Sequence, residues 1–166
     1  MGTKKNILIL LTLVFLIPTV AAQNNNSISV TNRSSSVLNI VAINSAGKGV
    51  EMVLDNTQWI NYSVNLNQSE PLMSISAAIA SGSIPPGVEV YLEASPDHGS
   101  GWGKKGKPTG RIKLGNIPDV LINEIGKCNT GNGKYHGHKL TISVVISDYS
   151  LLQSGEFNLY IQYTLN

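Results

Sequence analysis

The stretch from Leu140 to Leu165, LTISVVISDYSLLQSGEFNLYIQYTL, limits what this chain can become more than any other. Leu140, Ile142, Val144 and Ile146 alternate with Thr141, Ser143 and Ser147. After a polar link, Phe157, Leu159, Ile161, Tyr163 and Leu165 alternate with Glu156, Asn158, Gln162 and Thr164. Successive side chains of a strand point to opposite faces, so each run reads as a half-buried strand with one face on a core. Leu140, Ile142, Val144, Ile146, Phe157, Leu159 and Ile161 are the expected core of this pair.

The N-terminus reads as a targeting segment. Lys4 and Lys5 precede an apolar run from Ile7 to Ile17, Pro18 ends it, and Val20-Ala21-Ala22 supplies small residues for cleavage. The run falls short of the roughly 20 apolar residues of a membrane span, so residues 1–22 are expected to be a cleaved signal peptide. An uncleaved anchor is the alternative. Export places the mature chain in the periplasm, at the cell surface or outside the cell, with no membrane span of its own.

The remaining 144 of 166 residues suit a single domain at 23–166. Without Lys4 and Lys5, the 12 basic residues become ten against ten acidic ones. An even balance offers no electrostatic footprint for nucleic acid. Cys128 is the sole cysteine, so no internal disulfide can form. It is expected to be buried and inert, to pair with another molecule, or to bind metal, in that order.

Along the mature chain, alternating runs recur. Ile28 and Val30 mark a short strand, Val37 to Ile43 a second and Val50 to Leu54 a third. Gln58 to Leu66 carries Ile60, Tyr62, Val64 and Leu66 on one face with Trp59 on the other. Leu72 to Ala80 and Val88 to Ala94 flank GSIPPG, whose prolines fix φ and remove donors, and are expected to form a hairpin. Glu89, Tyr91 and Glu93 then face solvent. Arg111 to Leu114 and Val120 to Ile125 are two further strands.

Two glycine-rich breaks interrupt this series. Ser95 to Gly110, SPDHGSGWGKKGKPTG, is expected to be a long loop with no regular element, and Gly126 to Gly137 a second. About nine short strands without an amphipathic helix define an all-β class, an antiparallel β-sandwich, with a closed barrel or jelly roll as the alternative.

Candidate chemistry concentrates in the breaks. Lys104, Lys105, Lys107 and Arg111 surround Trp102, and with Tyr91 they could hold a glycan or an anionic surface. His136 and His138 lie two apart, a spacing that brings strand side chains to one face, and with Cys128 or His98 they form a metal candidate. Zinc and copper sites need three or four ligands, and the spacing supplies two, so no cofactor is expected. Glu89 and Glu93 are four apart, about 13 Å along a strand, beyond the roughly 5–9.5 Å of glycosidase carboxylate pairs. No G-x-S-x-G and no phosphate-binding glycine motif occurs. An enzyme would need a spatial cluster around Asp97, His98, His136 and His138. Asn25, Asn32, Asn61 and Asn67 open N-x-S triplets, which an Asn- and Ser-rich chain produces by composition.

Gly155 followed by Phe157, Leu159, Ile161 and Tyr163 resembles the terminal strand of bacterial pilus subunits of the chaperone–usher kind. The array from Ile75 through GSIPPGVEVYLEA, the glycine-rich loop and LTISVVISDYS is similar to small exported bacterial proteins with pilin-like sandwiches. The family's next-to-last tyrosine is here fourth from the end, and its cysteine pair is absent. The resemblance implies an immunoglobulin-like or pilin-like sandwich and a non-enzymatic, fimbrial-like surface or adhesive role. Its partners would be further copies or other surface subunits, met by edge-strand pairing.

Overall fold

In the computed structural model the described residues are 25–31, 51–152 and 157–166. The expected leader, the strand at Val37 to Ile43 and the link containing Gly155 lie outside them. Among the described residues the protein is all-β: ten strands, one short 3₁₀ turn at Tyr149–Leu151 and no α-helix. No helix there is long and apolar enough to cross a membrane.

The strands are β1 (Ser27–Thr31), β2 (Glu51–Asp55), β3 (Trp59–Val64), β4 (Met73–Ser81), β5 (Val88–Ala94), β6 (Trp102–Pro108), β7 (Ile112–Lys113), β8 (Asp119–Asn129), β9 (His138–Ile146) and β10 (Tyr160–Leu165). All pairings are antiparallel. The main path runs β10-β4-β8-β3-β9-β5-β7, with β1 added to β3, β2 to β9 and β6 to β8.

The corner of the fold is β9. His138 and Lys139 pair with Ile60 and Trp59 of β3, whereas Leu140 to Ile146 pair with β5. One strand thus belongs to two sheets, a known way of turning a corner between packed layers. The layers close as a sandwich over one core, contributed by Ile60, Tyr62, Val64 and Ile75 from one side and Val90, Leu92 and Val144 from the other.

Alternation explains these elements locally. Val88, Val90, Leu92 and Ala94 are buried, and between them Glu89, Tyr91 and Glu93 face outward. In β9, Leu140, Val144 and Ile146 are buried as expected, while Ile142 is only partly covered. Phe157, Leu159 and Ile161 are also partly buried and pack on the core's margin. Full burial of an aliphatic side chain of this size is worth about 1.5–3 kcal/mol.

The loop expected over Gly126 to Gly137 starts later, because β8 continues to Asn129, where it pairs with β3 and β6. Two further expectations fail for identifiable reasons. The runs flanking GSIPPG do not pair with each other: β4 lies between β8 and β10, and β5 between β9 and β7. The diproline link instead carries the chain from one layer to the other. The Gly87 carbonyl then accepts from Ser147 N (2.9 Å) and Asp148 N (3.2 Å), pinning the end of β9. The second failure is the span 95–110, which contains a seven-residue strand, β6, paired with β8 from Trp102↔Asn129 to Pro108↔Ile122.

Candidate functional site: the glycine-rich edge strand and the loops around it

Glycine makes β6 a strand instead of preventing one. Gly101, Gly103 and Gly106 hold φ of +77°, +87° and +79°. A Cβ at any of the three would run into the β8 backbone, at the carbonyls of Asn129, Lys127 and Asn123 respectively. Only glycine permits both the left-handed backbone and the close approach. The glycine content was the signal, and its meaning is contact between backbones.

The strand sends its cations to different places. Lys105 points inward: its Nζ lies 2.6 Å from Asp97 Oδ2, with the two side chains only 12% and 16% exposed, and it also donates to the Ser100 carbonyl. Lys105 is therefore structural, in contrast to the expectation that it belongs to a surface patch. Lys107 pairs with Glu124 at 3.0 Å and Lys104 approaches the same carboxylate at 4.0 Å, both in solvent. The Lys107 hydrogen bond holds the Glu124 carboxyl below its ordinary range. Trp102 stands 55% exposed on this strand.

Arg111 and Tyr91 do not join that group. The Arg111 guanidinium sits 4.0 Å above the Tyr91 ring and contacts Glu51 at 2.8 Å, tying the start of β7 across β5 to β2. Tyr91 donates to Glu89, which Lys113 reaches at 2.6 Å. The Lys113 hydrogen bond, then that of Tyr91, lowers the Glu89 pKa. This cluster braces the outer face of the other layer.

The metal candidates also separate. Gly137, at φ +69°, breaks the alternation that would have put His136 and His138 side by side. His138 is fully buried, with Nδ1 2.7 Å from the Ser95 carbonyl and Nε2 2.8 Å from the Tyr62 hydroxyl. His136 Nδ1 lies 2.8 Å from Ser100 Oγ. His98 meets Trp59 edge-on at 4.5 Å. Cys128 is buried, and burial pushes its thiol up to about 11. Among the described residues no three acidic, His or Cys side chains are placed to hold an ion.

The two glycine-rich segments do converge. His98 N donates to Gly137 O (3.0 Å) and Ser100 Oγ to Thr130 O (3.2 Å), while Asn61 clamps the second loop through Gly133 O and His136 O. Tyr135 packs edge-on against Trp59, which is why a tryptophan on the outward face of β3 is buried. Ser100 Oγ thus lies within hydrogen-bond reach of both the Thr130 carbonyl and His136 Nδ1. Asp97 is held by Lys105 and does not extend the pair into a Ser-His-Asp relay.

A different feature lies where the first and last strands approach each other. β1 and β10 are each bonded on one side only among the described residues. β1 opposes β3, β10 opposes β4, and β3 and β4 both oppose β8, so β1 and β10 run in the same direction. Ile28, Ser29 and Val30 from β1, Ala80 from β4, and Ile161, Gln162 and Tyr163 from β10 line a cleft of about 350 Å³. No family model, no curated protein and no solved structure matches this chain.

Proposed function

We propose that this protein is an exported, non-enzymatic surface subunit of immunoglobulin-like or pilin-like build, acting through strand pairing with another copy or a related subunit. The observation that carries the reading is the cleft between β1 and β10. Ile28, Val30 and Ile161 give it an apolar lining, and each flanking strand has one edge without a backbone partner among the described residues. Unpaired N–H and C=O groups along a strand are a template for another chain. An incoming extended segment would bond its backbone to β1 or β10 and place alternate side chains on the apolar lining, which is how strand addition combines affinity with selectivity.

The test is mass measurement of the chain lacking residues 1–22 over a range of concentrations, alone and as Ile161→Lys and Val30→Lys variants. Concentration-dependent oligomers that both variants abolish, with native circular dichroism retained, are the expected result. A monomer at every concentration, or oligomers indifferent to both charges, would remove the proposal.

A further inference from the structure

Trp102 stands at one end of a row that crosses the sheet. Its register partner on β8 is Asn129, whose partner on β3 is Ser63, whose partner on β1 is Ser27. Directly opposed residues of an antiparallel pair share a face. The neighbours Cys128, Tyr62 and Val64 are buried on the core side, so this row lies on the outer face. With strands about 4.8 Å apart, the row spans about 14 Å. Along one side the loop 131–137 rises over β3 through the Asn61 clamp and the Tyr135–Trp59 contact. The result is a shelf with an aromatic end, small polar side chains along its floor and a wall beside it.

Its polar groups keep free valences: Ser63 Oγ donates to the Cys128 carbonyl at 3.5 Å and keeps its oxygen to accept from a ligand hydroxyl. Asn129 Oδ1 accepts from Gly131 N at 2.7 Å, which fixes the side chain and leaves Nδ2 unpartnered among the described residues. Lys127, two residues before Asn129, is exposed and makes no ion pair there. Lys104 lies against Gly126, with its ammonium only loosely held by Glu124 at 4.0 Å.

We infer that the shelf formed by Trp102, Asn129, Ser63 and Lys127 binds an acidic glycan. A pyranose ring presents an apolar C–H face to an indole, and its hydroxyls match the Asn129 and Ser63 groups. The free charge of Lys127, supported by Lys104, favours a uronate over a neutral sugar. Arg111, Tyr91 and Lys105 have no part in it. The site shares none of its four residues with the lining of the β1/β10 cleft and does not depend on assembly.

The experiment titrates hexagalacturonate and cellohexaose into the chain lacking residues 1–22, carrying Ile161→Lys to prevent strand pairing. Binding of the acidic oligosaccharide is expected, weakened at least about tenfold by Trp102→Ala and largely kept by Trp102→Phe. Lys127→Gln should weaken it about threefold at low salt, and Lys113→Gln on the other layer should leave it unchanged. No binding of hexagalacturonate at millimolar concentration, or affinity indifferent to Trp102→Ala, would overturn the inference. Equal affinity for cellohexaose, unaltered by Lys127→Gln, would overturn the acidic specificity.

Discussion

Tyr62 on β3 and His138 on β9 lie with their rings stacked, 5.8 Å apart and 8° from parallel, and share a 2.8 Å hydrogen bond inside the core. The Tyr62 hydroxyl also donates to the Lys105 carbonyl, and His138 Nδ1 meets the Ser95 carbonyl. Four segments therefore meet at one buried polar knot: β3, β9, the edge strand β6 and the turn after β5. Buried polar groups of this kind are costly to leave without partners.

Tyr62→Phe removes the shared hydroxyl and keeps the ring. It should destabilise the fold by about 1–3 kcal/mol, because the Lys105 carbonyl and His138 Nε2 lose that hydroxyl together. Urea unfolding of the two proteins checks this. β6 should show faster amide exchange in the variant.

The same core predicts an alkaline limit. The Cys128 thiol is raised to about 11 by burial, and burial likewise raises the Tyr62 phenol above its ordinary range. Unfolded chains release the thiol proton from about pH 8.5 and the phenol proton from about pH 10, whereas the folded protein keeps both longer. The stability these groups contribute is therefore complete below about pH 8.5 and is lost as pH rises toward 11 and beyond. Urea midpoints should be flat from pH 7 to 8 and fall above pH 9. Cys128→Ala should flatten the first part of that fall.

Lys105 and Lys107, two residues apart, should behave oppositely. Lys105→Met leaves Asp97 without its cation in a largely dry site and should cost about 2 kcal/mol or more. Lys107→Gln breaks an ion pair whose lysine side chain is 71% exposed, and should change stability by less than about 0.5 kcal/mol. Equilibrium unfolding of the two variants separates these outcomes.

Glycine positions give a matched pair as well. Gly103 and Gly99 have similar positive φ, +87° and +84°, but only at Gly103 would a Cβ meet the β8 backbone. Gly99→Ala should cost about 1 kcal/mol, the ordinary penalty of left-handed backbone. Gly103→Ala should cost clearly more and detach β6, read as lost protection of the Gly103 to Lys107 amides.

Strands with clean period-two alternation are legible in the sequence. Val88 to Ala94 was bounded to the residue, and Leu140, Val144 and Ile146 occupy the core assigned to them. Strand partners were not legible, because alternation specifies a face and not a neighbour. GSIPPG therefore looked like a hairpin turn although it joins two layers. β6 was hidden by its glycines, whose purpose depends on the β8 carbonyls they approach. The basic patch failed in part for the same reason: neighbours in sequence on a strand face opposite ways, so Lys105 turned inward while Lys104 stayed out, and the left-handed backbone of Gly106 breaks the alternation before Lys107, which also stays out. Asn129, Ser63 and Lys127 come from two strands, and only the sheet register sets them beside Trp102.

The central claim is strand pairing at the cleft between β1 and β10, and amide hydrogen exchange tests it at the groups concerned. Exchange of the Tyr160 to Leu165 and Ser27 to Thr31 amides should be measured at low and high concentration of the chain lacking residues 1–22. The amides of β10 and β1 that bond neither β4 nor β3 should gain protection as concentration rises, while those of the β7 edge, Ile112 and Lys113, should not change. Unaltered exchange at both cleft strands, with association occurring elsewhere or not at all, would contradict the account.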